Sequence, residues 1–213
     1  MGDVGPWEAA KLRMLNGGHL ALAYVGVLAG LDTVADAIDD PELHDFMLRY
    51  MLQEQCPTLP PSDHDIEAYA HKLVRRWGNR GLTDPLVRVG REGSTKLPTR
   101  LLASLRENLA AGRPVPCTTL AIAAWMRCAT GHDGQGRRLS MPDPMAQRLR
   151  RRGQSAGEDP QRLVDAFLGL PEIFGHDLPR EPSFRAGLLR SLQALQTHGA
   201  RQAAAACTAG ALP

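Results

Sequence analysis

Within nine residues near its start the chain carries a lysine, an asparagine, two glycines and a histidine, in the run Lys11-Leu-Arg-Met-Leu-Asn16-Gly17-Gly18-His19. Oxidising an alcohol needs a base for the hydroxyl proton and donors that hold the oxygen as negative charge develops. A buried lysine with a depressed pKa can be that base, while an Asn amide and an imidazole grip the oxygen. On an α-helix each residue advances about 100°, so positions 11, 16 and 19 fall at about 0°, 140° and 80°, on one broad face. Lys11 lies about two turns from His19, so convergence relies on the long, flexible lysine stem. Gly17 and Gly18 each cost a helix roughly 1 kcal/mol against alanine, and two of them beside polar groups point to a close approach to the backbone. The same residues admit a plainer reading: a solvated lysine, a local Asn cap beside two glycines, and a satisfied core histidine.

The elements that must position this trio are helical. Periods of 3.6 dominate and alternating strand patterns are scarce, so the fold class is all-α. A first long helix is expected over residues 7–31, with Pro6 suited to its first turn. Asp40-Pro41-Glu42 reads as a cap and first turn for a helix to about residue 55, which Cys56-Pro57-Thr58-Leu59-Pro60-Pro61 then breaks. Asp65 caps a helix over 66–77; shorter segments follow at 85–91 and 97–111, and Gly112-Arg113-Pro114 is a stop. Residues 117–130 are apolar almost all round, which predicts a buried central helix. A turn-rich stretch at 131–136, a basic amphipathic helix at 142–152, a loop at 153–159 and closing helices at 160–168 and 184–206 complete the chain. With no repeat and no composition shift, residues 1–213 read as a single helical domain.

Composition narrows the function. A length of 213 residues, 43% hydrophobic and 23% charged, can bury a sizeable core. A formal charge of +2 gives no electrostatic case for nucleic acid. No apolar run reaches the roughly 20 residues of a membrane span, and the N-terminus lacks the basic and apolar order of a signal peptide. Cys56, Cys117, Cys128 and Cys207 form no CxxC pair and read as small core hydrophobes of a reducing, cytoplasmic compartment. Neither GxGxxG after a strand nor GxxxxGK[ST] is present, so the residues show no phosphate cradle. Asp63-His64-Asp65 and His132-Asp133 lack the partners of a metal site, so no metal is expected. The run Arg148-Leu-Arg-Arg-Arg152 reads as a solvated helix face, Glu54 as a satisfied helix-end carboxylate and Trp125 as core.

Lys11-Leu-Arg-Met-Leu-Asn16-Gly-Gly-His19, followed by Ala-Tyr-Val-Gly-Val-Leu-Ala-Gly, closely resembles the K-x5-N-x2-H signature of the polyol-specific long-chain dehydrogenases. Later segments look like the family in the same order: Met51-Leu-Gln-Glu54-Gln-Cys-Pro57-Thr-Leu59, Gly93-Ser-Thr-Lys96-Leu-Pro98, Leu120-Ala-Ile-Ala-Ala-Trp125-Met-Arg, Asp143-Pro144, Ile173-Phe-Gly175-His-Asp177-Leu-Pro179 and His198-Gly-Ala-Arg201. The resemblance covers roughly residues 7–207. Arg76-Trp-Gly-Asn79-Arg-Gly stands where the family usually carries R-F-x-N-P, so the loop leading to Arg88 is expected to differ.

The resemblance implies a multi-helical substrate domain similar to the C-terminal domain of 6-phosphogluconate-dehydrogenase-like enzymes. It implies that Lys11 is the general acid/base, that Asn16 and His19 hold the reacting oxygen, and that Arg88 and Lys96 bind substrate. Clustered cations would also push the Lys11 pKa down. Hydride passes directly to NAD without a metal, and the partners are a polyol or hexonic acid and an upstream Rossmann-type domain. Only ten residues precede the lysine here, so the cofactor half is expected to lie outside this chain, which should not turn over alone. The implied pairs are D-mannonate with D-fructuronate or D-mannitol with D-fructose, leaning to the former because a cation pair suits a carboxylate. A reading of another class remains beside it: a non-catalytic helical interaction module that kept the fold.

Overall fold

The first helical stretch is not one regular helix. In the computed structural model, which describes residues 5–81, 84–132 and 138–209, α1 (Gly5–Ala10) runs into a π-helical turn (Lys11–Asn16) and continues as α2 (Gly17–Leu28). α2 buries nearly every side chain, from Leu20 through Val27, as its glycine, alanine and valine content permits. α3 (Val34–Asp39) is capped by Thr33, whose hydroxyl accepts from the Asp36 amide at 3.1 Å. Asp40 then caps α4 (Pro41–Arg49), with Pro41 in the first turn as its missing N–H favours. A second π-helical turn (Tyr50–Gln55) ends α4 before the Cys56–Thr58 turn, so the stretch expected as one helix to residue 55 is continuous but irregular.

α5 (Ile66–Trp77) has the expected bounds, because Asp65 accepts from the Ala68 amide at 2.8 Å and Gly78 ends it. α6 (Leu86–Val89) is a single turn. The helix expected at 97–111 is two: α7 (Gly93–Arg100), which starts earlier and contains Pro98, and α8 (Leu102–Ala110). Pro98 withholds a backbone donor, and the chain breaks at Leu101.

α9 (Pro116–Thr130) is the buried central helix, with Cys117 through Cys128 all removed from solvent. Trp125 packs edge-on to Phe167 at 5.4 Å in the core. The turn expected at 131–136 lies largely outside the described residues. α10 (Ala146–Ala156) runs four residues past its expected end into what read as a loop, because Gly153 and Ala156 are buried against the body of the fold. Asp159 caps α11 (Pro160–Leu168), which has the expected bounds, and α12 (Pro171–Phe174) is a short turn.

α13 (Pro182–Thr208) packs along both α9 and α4. It is interrupted at Gly199, whose φ of 77° and ψ of 172° only glycine adopts readily. Beyond that break Arg201 bonds Asp40, and Arg49 donates to the Thr208 carbonyl, so the last turns fold back on α4.

The fold is thus all-α, with α9 sandwiched between α2 and α13. Among the described residues there is no strand, and Thr33 and Pro85 form an isolated bridge. Cys117, Cys128 and Cys207 are buried and Cys56 is half-buried, the core role read from their spacing. No helix among the described residues is long and apolar enough to cross a membrane. Arg148, Arg150 and Arg151 are exposed, as a solvated helix face requires, with Arg148 paired to Glu172 and Arg152 donating to the Ala166 carbonyl at 2.6 Å.

Candidate active site

The π-turn at Lys11–Asn16 is where sequence and geometry meet. The Gly17 amide donates to the Leu12 carbonyl, five residues back, and to the Met14 carbonyl, three back, rather than to the residue four back. Residues five apart are thereby drawn towards one angular position, so Lys11 and Asn16 stand closer around the axis than the about 140° of a regular α-helix. The turn is held from outside. The Tyr50 hydroxyl donates to the Arg13 carbonyl at 3.3 Å, and the Arg13 guanidinium takes both oxygens of Glu107 at 2.8 and 2.7 Å and also donates to the Thr58 carbonyl. Gly17 is glycine for a steric reason: a Cβ there would stand 2.6 Å from the Arg100 carbonyl oxygen and 2.7 Å from the Tyr50 hydroxyl.

At the end of this turn and the start of α2, Asn16 and His19 open on one pocket of about 150 Å³, completed by Leu15, Val34, Arg76, Trp77 and Asp84. At about 30 Å³ per water in the liquid this is room for on the order of five waters. A second cavity, beside Tyr24 and Trp125, is about 20 Å³ and holds about one water. The His19 ring lies on Trp77, centroids 4.6 Å apart. Burial lowers the His19 pKa to about 4, against the pull of the Asp84 carboxylate and with help from Arg76 and Arg100. The ring is therefore neutral near pH 7, with one nitrogen donating and the other accepting.

The structure brings Asn16 and His19 together and leaves the three expected cations outside the pocket wall. Lys11 is exposed at the start of the π-turn and does not line the pocket, so the burial invoked to make it a base is not provided by the described residues. Arg88 is 69% exposed and stands 3.9 Å from Asp84, so it reaches the pocket only through that carboxylate. Lys96 is 17% exposed; its ammonium donates to the Arg91 carbonyl at 2.7 Å and lies 3.4 Å from Glu92. That pairing follows from Glu92, a non-glycine in the left-handed region at φ 60°, which begins α7 and turns its carboxylate to Lys96.

Sequence reasoning missed Arg76, Trp77 and Asp84 as wall residues. They sit at the end of α5 and in the connection to α6, where no periodicity ranks them. The available signal was the Arg76-Trp-Gly-Asn79 stretch itself, read only as a loop that would differ. Glu54 is a helix-end carboxylate, as read: it accepts from the Cys117 amide at 2.6 Å and from the Thr118 amide and hydroxyl at 2.8 and 2.6 Å, capping α9.

The family described as the mannitol dehydrogenase C-terminal domain matches residues 3–196. The D-mannonate oxidoreductase of Escherichia coli (strain K12) is 40% identical over 206 residues, which are 96% of this chain and 42% of that protein. A mannitol 2-dehydrogenase of Pyrenophora tritici-repentis is 35% identical over 199 residues, 93% of this chain and 34% of that one. The solved Pseudomonas fluorescens mannitol 2-dehydrogenase, a ternary complex with NAD and D-mannitol, matches with a TM-score of 0.87 at 33% identity, covering 96% of this chain and 41% of that chain. The chain spans about two fifths of the length of such relatives. Through residues 3–196, with the lysine, asparagine and histidine on one helical stretch, the chain belongs to the mannitol dehydrogenase C-terminal domain family.

Proposed function

We propose that the chain is the substrate and proton-transfer half of an NAD-dependent oxidoreductase that interconverts D-mannonate and D-fructuronate, with D-mannitol and D-fructose as the second pair. The observation that carries this reading is the shared pocket of Asn16 and a neutral His19, one π-turn from Lys11. The substrate hydroxyl gives its proton to the Lys11 amine, and the Asn16 amide and the protonated His19 nitrogen donate to the oxygen as charge develops on it. Lys11 comes to the pocket by its four-carbon stem as substrate fills it, which removes water from the amine. Arg76 in the wall, with Arg88 behind Asp84, offers a hexonate carboxylate a guanidinium partner, which favours D-mannonate. Lys96 joins them once substrate draws it from Glu92.

The described residues do not fit a dinucleotide. The pocket is far too small for one, and no glycine-rich turn follows a strand among them. NAD therefore belongs to an N-terminal Rossmann-type domain outside this chain, in keeping with the two fifths of the relatives that the chain spans. A second reading, a helical interaction module that kept the fold without the chemistry, is favoured by the exposure of Lys11 outside the pocket wall.

The test replaces the matching two fifths of the E. coli D-mannonate oxidoreductase with this chain and follows NADH formation from D-mannonate and D-mannitol. Turnover is expected, faster with D-mannonate, and Lys11→Ala should lower kcat by about 10²–10⁴-fold. A cooperatively melting chimera that oxidises neither substrate, or a Lys11→Ala variant with a near-normal rate, overturns the catalytic reading in favour of the module.

A further inference from the structure

The π-turn carrying Lys11 has no cause in its own sequence. Lys-Leu-Arg-Met-Leu-Asn contains neither glycine nor proline and is rich in good α-helix formers. Its cause lies across the fold. In an α-helix the Gly17 amide would pair with the Arg13 carbonyl; here it is shared between the Leu12 and Met14 carbonyls, and the Arg13 carbonyl accepts the Tyr50 hydroxyl instead. Tyr50 is fully buried, and burial lifts its phenol well above the ordinary range, so the hydroxyl stays a donor. Tyr50 is itself fixed, because it opens the second π-turn, in which the Cys56 amide donates five residues back to Met51. Gly17 leaves room for that hydroxyl, and the Arg13 clamp on Glu107 and Thr58 holds the other side of the same residue.

We infer that Tyr50 is a positioning residue of this site, whose hydroxyl holds the extra residue of the π-turn and so sets the angular offset between Lys11 and the pocket residues Asn16 and His19. A π-turn is an α-helical stretch with one residue inserted, and one residue is about 100° of rotation. Were the turn to relax to α-helix, Lys11 would swing by about that angle relative to Asn16. An unpaired, partly buried carbonyl at Arg13 opposes the π form once the hydroxyl is gone, so the register leans on a donor from another helix. The inference rests on the proposed roles of Lys11, Asn16 and His19, but the register itself is measurable without turnover.

Tyr50→Phe removes the hydroxyl and keeps the ring. In the isotope-labelled chain, through-hydrogen-bond NMR coupling should join the Gly17 amide nitrogen to the Leu12 carbonyl carbon, and in Tyr50→Phe it should move to the Arg13 carbonyl carbon. In the chimera Tyr50→Phe should lower kcat at least tenfold while KM changes less than twofold. Ser104→Ala, which removes another buried hydroxyl bonded to a backbone carbonyl, should leave both constants unchanged. Persistence of the Leu12 coupling in Tyr50→Phe, or a kcat within twofold of the parent, overturns the inference. A parent chimera without turnover would sink the catalytic roles while the coupling still decides the register.

Discussion

His19 lies against Trp77 with ring centroids 4.6 Å apart and planes inclined by 31°. The indole shuts water away from one face of the imidazole, and the charged form loses more from that than it gains from Asp84. Asn16 beside it needs no protonation state to donate. The pocket therefore has two neutral polar groups in its wall, Asn16 and His19, with Arg76 beside them and Arg88 behind Asp84.

The neutrality of His19 is open to direct titration. Its ring resonances should stay in the neutral position down to about pH 4, against an ordinary value of 6.5. Trp77→Ala should move the midpoint back towards 6.5. Because the folded pKa is the lower one, the unfolded chain takes the proton first as pH falls. This group's contribution to stability is thus present above 6.5 and lost as pH drops towards 4. A midpoint near 6.5 in the parent would reject the buried, neutral ring.

If Asn16 and His19 hold the reacting oxygen as proposed, Asn16→Ala and His19→Ala each remove one donor from it. In the chimera each should lower kcat by about 10²–10³-fold, the range for losing one donor of this kind. Steady-state kinetics on D-mannonate would show it. An effect on KM alone would make them binding residues without a share in the developing charge.

Glu54 gives a pH signature of opposite sign. Three donors favour its ionised form, yet burial outweighs them and raises the carboxyl pKa from 4.5 to about 6. The folded state holds the proton more tightly here, so the contribution is full below pH 4.5 and fades as pH rises through about 6. The loss is about 2 kcal/mol, since one pKa unit is about 1.4 kcal/mol. Urea midpoints measured from pH 4 to 7 should lose this component in Glu54→Gln. That variant should also be less stable at pH 5, because the new amide hydrogens face the donors that cap α9. An unchanged profile would place the proton elsewhere.

Gly17→Ala puts a methyl 2.6 Å from the Arg100 carbonyl oxygen and 2.7 Å from the Tyr50 hydroxyl. The carbonyl belongs to backbone and yields little, so the expected cost is about 1–3 kcal/mol. For a chain of this size that is a fall in Tm of roughly 2–4 °C per kcal/mol, which calorimetry resolves. A Tm equal to the parent's would mean the approach relaxes without strain.

How far the sequence carried the structure depended on whether each feature had a local cause. α5 and α11 kept their expected bounds because Asp65 and Asp159 supply the cap and the following glycine the stop. The buried α9 was legible from its unbroken apolar surface. The break at Gly199 and the continuation of α10 through Gly153 were not, because a glycine in a helical pattern can be either a hinge or a packing contact. Lys11, Asn16 and His19 shared a face by their spacing and were singled out as a site by the resemblance, but the π-turn between them was invisible, since Tyr50, which holds it, is 37 residues from Arg13. Arg88 and Lys96 could be named only by resemblance. Their partners, Asp84 and Glu92, are fixed by a loop and by a left-handed residue that carry no periodic signal.

The reversal at Gly199 also governs when the flank of α4 can be covered during folding. Arg201 meets a residue 161 positions earlier and Thr208 one 159 positions earlier, and such distant closures are the slow ones. While the chain is being synthesised, the flank of α4 that these last turns cover stays bare until they clear the ribosome. Truncation of the chain before Gly199 would leave that flank bare, a species for chaperones and proteases to sort.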